Sequence, residues 1–245
     1  MCTFGAYATL DTLSFSYDGV VSGAPAKITY FPGRGRAEPI RMMHAAVGAP
    51  YADNSVTGEQ MSELKPTLPF GQLPTYEDDE GIVMAQSRAI MNHIARKYGL
   101  YGSTAVESYM VDAVMECLAD LNPAQLFFLS EEGRKAGITK FRDEIVPKHL
   151  KYLDAFVSKS PSTTFVVGDL SMADIAIVNL VEFLEDNNLA SVGDYPRLKA
   201  VYDVSCAHEK LGAYLKSEGR FPKQDTYKLW VWALYHLSVI SVNSF

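Results

Sequence analysis

Two stretches of this sequence carry residue types and spacings suited to holding a small peptide. In the first, Pro69-Phe70-Gly71-Gln72-Leu73-Pro74 runs into a strand-like Thr75-Tyr76. An X-Pro bond entering a strand is a place where a cis peptide can occur, and proline predicts that the strand lies at a sheet edge. Edge backbone groups are free to pair with an extended ligand. In the second, Gln86-Ser87 follows the apolar Ile82-Val83-Met84 and opens a helix. The unpaired N–H groups and positive dipole end of a helix start suit a carboxylate. Either half alone is equally an ordinary strand, turn and helix with Ser87 as a plain N-cap. Together they point to a ligand with both a peptide backbone and a carboxylate.

The elements that must position these residues begin at Lys27. Lys27 to Phe31 is predicted as a buried strand, Pro32-Gly33-Arg34-Gly35 as a loop, and Arg36 to Val47 as a helix with Ile40, Met43, His44 and Val47 on one face. Tyr51 to Val56 gives a parallel second strand, Glu59 to Lys65 a short helix, and Leu73 to Tyr76 with Ile82 to Met84 an antiparallel pair. Gln86 to Tyr98 gives the closing helix. This β-α-β-α-β-β-α order is thioredoxin-like, yet no Cys-x-x-Cys is present, so dithiol redox chemistry lacks its residues. From about residue 104 the pattern becomes helical, with Val106, Met110, Val114 and Leu118 as an apolar stripe. Pro147 is expected to start or kink a helix. Ser171-Met172-Ala173-Asp174 resembles a capping box before a helix that is apolar almost all round.

Composition narrows the function classes. A net charge of −7 over 245 residues, with a pI near 5.3, argues against a nucleic-acid footprint. Cys2, Cys117 and Cys206 are too few and too scattered for a disulfide framework or a metal set, and fit a reducing, cytoplasmic setting. Cys117, at an apolar helical position, is expected to be buried filler. Residues 1–26 hold no Lys or Arg, so neither a secretory signal nor a transit peptide is indicated. They are predicted as an N-terminal extension, either a floppy leader or a hairpin built on Leu13, Phe15 and Tyr17. Residues 219–245 form a C-terminal extension carrying Trp230 and Trp232. Its longest uncharged stretch falls short of the ~20 residues that span a bilayer, leaving packing over a cleft, peripheral membrane contact or disorder.

Pro74 beside a helix-opening Gln86-Ser87, and the run Gly168 to Asp174, resemble the corresponding features of cytosolic glutathione transferases. The resemblance covers about residues 27 to 218. It implies a thioredoxin-like α/β domain (27–100) that binds glutathione and an all-α C-terminal domain (104–218). Gly35-Arg36-Ala37-Glu38 is similar to a run of the sigma class. On this resemblance Tyr30 would donate a hydrogen bond to the glutathione sulfur and Arg36 would supply a guanidinium. Bringing a thiol from pKa ~8.5 to below neutrality takes roughly 2–3.4 kcal/mol. One hydrogen bond to a charged group gives ~1.5–3 kcal/mol, so Tyr30 nearly suffices and Arg36 would cover the rest.

Further roles follow from the same resemblance. Lys65 and Gln72 would hold the glycyl end, where Met61 stands in place of a tryptophan common in the sigma class. The Leu73 backbone beside Pro74 would pair with the cysteinyl amide, and Gln86 and Ser87 would take the γ-glutamyl end. Asp120 would reach the glutamyl amine of a partner subunit, which implies a homodimer; a solvated helix charge is its other reading. Phe70 would insert into that partner or serve the core. An apolar electrophile would sit against Phe31, Gly35, Arg36 and the stretch from Leu121 to Phe127. No metal or cofactor beyond the co-substrate glutathione is implied. The expected activity is glutathione conjugation in detoxification. The alternatives are a glutathione-dependent isomerase of the prostaglandin D synthase kind and a non-catalytic, crystallin-like protein.

Overall fold

The structure is a computed structural model that describes residues 24–121 and 130–223. The proposed hairpin at Leu13 to Tyr17, most of the predicted electrophile wall up to Phe127, and the Trp230 tail lie outside the described residues.

Four strands form a mixed sheet in the order β2-β1-β3-β4. β1 (Ala26–Tyr30) pairs in parallel with β2 (Tyr51–Ser55), with Ile28 opposite Asp53, and antiparallel with β3 (Thr75–Glu77). β4 (Val83–Ala85) takes the outer side of β3. The strand after Pro74 is therefore interior, which corrects the edge expectation. Pro74 precedes Thr75, the first residue of the ladder, so its missing N–H costs no pairing. Leu73 and Pro74 extend beyond the ladder, where backbone remains for a ligand.

α1 (Glu38–Val47) and α3 (Ser87–Lys97) pack together on this sheet through the fully buried Ile40, Met42, Met43, Ile90 and Ile94. α1 ends at Gly48, whose φ of 73° suits glycine and lets its N–H reach the Ala45 carbonyl. His44 is fully buried, with Nε2 3.2 Å from the Tyr76 hydroxyl and Nδ1 3.3 Å from the Ala49 carbonyl. Burial pushes its pKa down to about 4, so it is a neutral core group at pH 7. α2 (Gly58–Leu64) is capped by Thr57 and Gln60 and buries no residue.

The remaining helices are α4 (Ala105–Asp120), α5 (Glu131–Lys140), α6 (Val146–Val157), α7 (Met172–Asp186), α8 (Pro196–Ala207) and α9 (Glu209–Leu215). The buried face of α4 starts at Met110 and continues through Val111, Val114 and Met115. Val106, one turn earlier, is 67% exposed and does not extend the stripe as expected. Pro147 stands in the first turn of α6, the helix-start outcome of the expectation. α5 and α6 run into each other through a π turn at Phe141–Ile145, in which the Val146 N–H bonds the Phe141 carbonyl just before the proline removes a donor.

α7 is buried on most of its surface, as its composition predicts. At its start Asp174 accepts from the N–H and hydroxyl of Ser171 and from the Val166 N–H, while burial raises its pKa to about 6. Arg197, at the start of α8, donates to the carbonyls of Ser162, Thr163, Thr164 and Phe165 at 2.7–3.2 Å. Asp154 of α6 caps the same helix start through the N–H groups of Arg197 and Leu198, both at 2.9 Å.

Candidate active site

Tyr30 closes β1, and the chain then loops through Phe31 to Arg34 into a 3-10 turn, Gly35–Ala37. That turn stands where the sequence predicts the first turn of the helix from Arg36; the α-helix proper begins at Glu38. It brings the backbone N–H of Arg36 to 3.2 Å from the Tyr30 hydroxyl oxygen. The oxygen accepts this bond and the phenolic hydrogen remains available to another acceptor. Accepting a bond polarises the O–H and makes it a better donor.

Gly35 makes this geometry possible. Its φ is 42°, and a Cβ at this position would stand 2.6 Å from the Tyr30 hydroxyl. The sequence marked Gly35 as a pocket wall; its tighter role, leaving room for the phenol, appears only in three dimensions. The Phe31 ring meets Tyr30 edge-on, with centroids 5.6 Å apart. The Arg36 side chain is exposed.

The two peptide half-sites converge. The Leu73–Pro74 bond is cis, and Pro74 is buried with Gln72 exposed before it. Gln86 donates from Nε2 to Gln72 Oε1 at 3.4 Å, linking the strand entry to the start of α3. Gln86 occupies the N-cap position and Ser87 the first helical turn, so the plain N-cap reading of Ser87 does not hold. Gln86 has φ 69° and ψ 104°. Such a backbone costs a residue with a side chain about 1–3 kcal/mol, and is a frequent mark of ligand sites. Arg88, in the first turn, is turned away to Asp112 of α4 at 2.8 Å. Lys65 is exposed and its stem covers Gly71, and Met61 is half-buried on α2.

Asp120 is exposed on the last residue of α4, in the other half of the molecule. Phe70 is 77% exposed with φ 58°, which excludes a core role within this chain. Between α4 and α6 lies an apolar cleft of about 220 Å³ lined by Ala113, Cys117, Tyr152, Leu153 and Phe156. Cys117 is half-buried on the wall of this cleft, not fully buried as expected, and burial together with Asp120 raises its thiol pKa, which disfavours a reactive thiolate. Among the described residues no group of three or more His, Cys, Asp or Glu side chains could hold a metal.

A buried ion network behind the Gly35 turn escaped the sequence reading. Glu38 Oε1 accepts from Arg220 Nε at 2.7 Å and from Tyr214 at 3.2 Å. Arg220 also forks onto both oxygens of Glu182 on α7, and Arg41 forks onto Asp53 at 2.6 and 3.2 Å. Burial alone would lower the Arg220 pKa, but its bonds to Glu182 and Glu38 outweigh that and raise it. A Gly-Arg-Gly-Arg run followed by a glutamate was the local signal; its partners lie nearly two hundred residues away.

Comparison with known proteins meets this geometry from a separate direction. Residues 26–96 match the family model "Glutathione S-transferase, N-terminal domain", and residues 121–218 match "Glutathione S-transferase, C-terminal domain". Glutathione S-transferase 4 of Caenorhabditis elegans is 36% identical over 188 residues, covering 72% of this chain and 88% of its own length. Hematopoietic prostaglandin D synthase of Gallus gallus is 34% identical over 197 residues, covering 78% of this chain and 94% of its own length. Among solved structures, prostaglandin synthase D of Nilaparvata lugens superposes with a TM-score of 0.72 at 28% identity, covering 82% of this chain and all of that one (100%). The Onchocerca volvulus Pi-class glutathione S-transferase gives 0.70 at 27% identity, covering 79% and 93% of the two chains. A thioredoxin-like sheet carrying a tyrosine at the end of β1, a cis-proline entry and an exposed helix start, joined to an all-helical half, belongs to one family: this chain is a member of the glutathione S-transferases.

Proposed function

We propose that the chain conjugates the thiolate of glutathione to small apolar electrophiles in cytoplasmic detoxification, in the manner of a sigma-class enzyme, with Tyr30 as the residue that activates the thiol. The observation that carries this reading is the Tyr30 hydroxyl, held at 3.2 Å by the Arg36 N–H with its own hydrogen left to donate. Residues 27–100 bind glutathione: Gln86 and Ser87 take the γ-glutamyl carboxylate, the Leu73 backbone beside Pro74 takes the cysteinyl amide, and Lys65, Gln72 and Met61 surround the glycyl end. Arg36, exposed next to Tyr30, adds positive charge near the sulfur. Phe31 and Gly35 bound the electrophile, together with the helical half, residues 104–218.

The active species is a homodimer. Phe70, an exposed aromatic on a turn, and the apolar cleft at Ala113, Cys117 and Phe156 are complementary features on different parts of the surface. Asp120 then reaches the glutathione of the partner subunit. The deciding experiment follows thiolate absorbance of bound glutathione against pH. In Tyr30→Phe the apparent thiol pKa should rise by about one unit or more; an unchanged titration would move the role to Arg36. Two similar proteins are prostaglandin D synthases, so prostaglandin H belongs beside aryl halides and hydroperoxides in the same steady-state panel.

A further inference from the structure

The Gly35–Ala37 turn is held at both ends by the helical half of the molecule and by residues 220–223 that follow it. At its N-terminal end Arg34 donates from Nε to the Phe221 carbonyl at 2.8 Å, and its Nη1 lies 3.8 Å from both Glu182 and Asp186 of α7. At its C-terminal end Glu38, with no exposed side-chain surface, is gripped by Arg220 and Tyr214. Arg41, one turn into α1, donates to the Gly33 carbonyl at 2.8 Å and lies under the Phe221 ring at 4.6 Å. Lys223 completes the strap on Asp186 at 2.6 Å. Four carboxylates (Glu38, Asp53, Glu182, Asp186) meet four cations (Arg34, Arg41, Arg220, Lys223), so no charge in the cluster is left uncompensated.

We infer that Arg220 is a positioning residue for catalysis: with Phe221 it clamps Arg34 and Glu38, and so fixes the turn whose Arg36 N–H meets the Tyr30 hydroxyl. This rests on the reading of Tyr30 as the group that activates the thiol. The physical argument is one of leverage. The Arg36 N–H sits in a three-residue turn whose own helical bonds are few, so the turn's conformation is set by its flanks. Arg220 bonds one flank directly and delivers Phe221 to the other. The peptide half-sites at Gln72, Pro74, Gln86 and Ser87 have no part in this strap, so turn position and glutathione binding should separate on mutation.

Arg220→Met alone would take from the buried Glu38 its shortest charged partner, leaving only Tyr214 and the longer 3.5 Å contact to Arg41, and would destabilise the fold. The test therefore uses Glu38→Gln/Arg220→Met, which removes both charges, and Arg34→Gln, a part-exposed residue that cuts the other flank. Each is measured beside the wild type and Tyr30→Phe, with folding checked by circular dichroism. In both strap variants kcat should fall roughly tenfold or more, since small displacements of a reacting group are costly. KM for glutathione should change less than about threefold, because the half-sites are intact. The thiol titration of bound glutathione should move in the direction it takes in Tyr30→Phe. Folded strap variants with wild-type kcat and thiol titration, in a background where Tyr30→Phe shifts both, would overturn the inference alone. A Tyr30→Phe enzyme that shifts neither overturns it together with the reading beneath it. A loss confined to KM would also overturn it, by assigning Arg220 to binding.

Discussion

On the side of the Gly35 turn that meets Tyr30, the Arg36 side chain is exposed, and Gln72 and Gln86 share one long 3.4 Å hydrogen bond. On the side toward the helical half, the side chains of Glu38, Arg41 and Arg220 are each at most 3% exposed and are bonded at nearly every polar atom. Both faces are rich in charge and amide groups, and they differ in who satisfies them. The first face is open to solvent, whereas the second is cut off from it and must be satisfied by the protein itself. Polar residues on the front are therefore free to serve binding at little cost in stability, and those on the rear are committed to the fold.

The largest expected effect is on the rear. Glu38→Ala would take from Arg220 one of its two carboxylate partners and from Tyr214 its bond to this carboxylate, and should lower unfolding free energy by about 3–5 kcal/mol. Arg36→Ala, two residues away, should stay within about 0.5 kcal/mol. Urea unfolding of the pair measures the contrast directly, and a Glu38 effect below about 1 kcal/mol would break it.

A second expectation concerns His44, on the buried side of α1. Its folded pKa of about 4 lies below the unfolded value of 6.5. The stabilisation from keeping it neutral is thus fully present above pH 6.5 and is lost as pH falls toward 4, about 3 kcal/mol in all. Asp174, raised from 3.8 to about 6, acts in the opposite sense: its contribution is lost as pH rises through that range. The two nearly offset in the wild type. His44→Gln removes one of them, so its stability should fall more steeply than the wild type's as pH rises from 4.5 to 6.5, by up to about 1.4 kcal/mol per pH unit. Parallel curves would mean that His44 titrates normally.

The smallest effect belongs to the front. Ser87→Ala should leave stability within about 0.5 kcal/mol and weaken glutathione binding by ~1–3 kcal/mol, through a carboxylate that loses a donor. Isothermal calorimetry on the folded variant decides it, and unchanged affinity would remove Ser87 from the site.

This contrast also explains what could be read from residue order. The placement of the front-face elements was legible because its signals are local, Pro74 at a strand entry and Gln86-Ser87 before a helical period, whereas Tyr30 was singled out only through the family resemblance. The error there was also local, since proline before the first ladder residue constrains the sheet less than proline within it. The rear face was not legible. Glu38 and Arg41 look like ordinary charges at the start of a surface helix, and Arg220, which bonds Glu38, is 182 positions beyond it, with Phe221 beside it stacked on Arg41. Phe70 illustrates a different limit: an aromatic beside Pro69 and Gly71 gives no sign of whether it points inward, and the structure turns it to solvent. Stretches outside the described residues keep the N-terminal hairpin, Phe127 and the Trp230 tail as expectations.

Arg197 has a consequence for how the protein is degraded. The segment from Ser158 to Thr164 is irregular, polar and at the surface, the profile of a protease-sensitive loop. A protease must draw an extended stretch of chain into its cleft, and here the carbonyls of Ser162 through Phe165 are tied to one guanidinium whose own backbone is fixed by Asp154. Nicking at this loop should therefore wait for the opening of α8 from α6, so that the rate of cutting reports the opening of the helical half and not the local exposure of the loop.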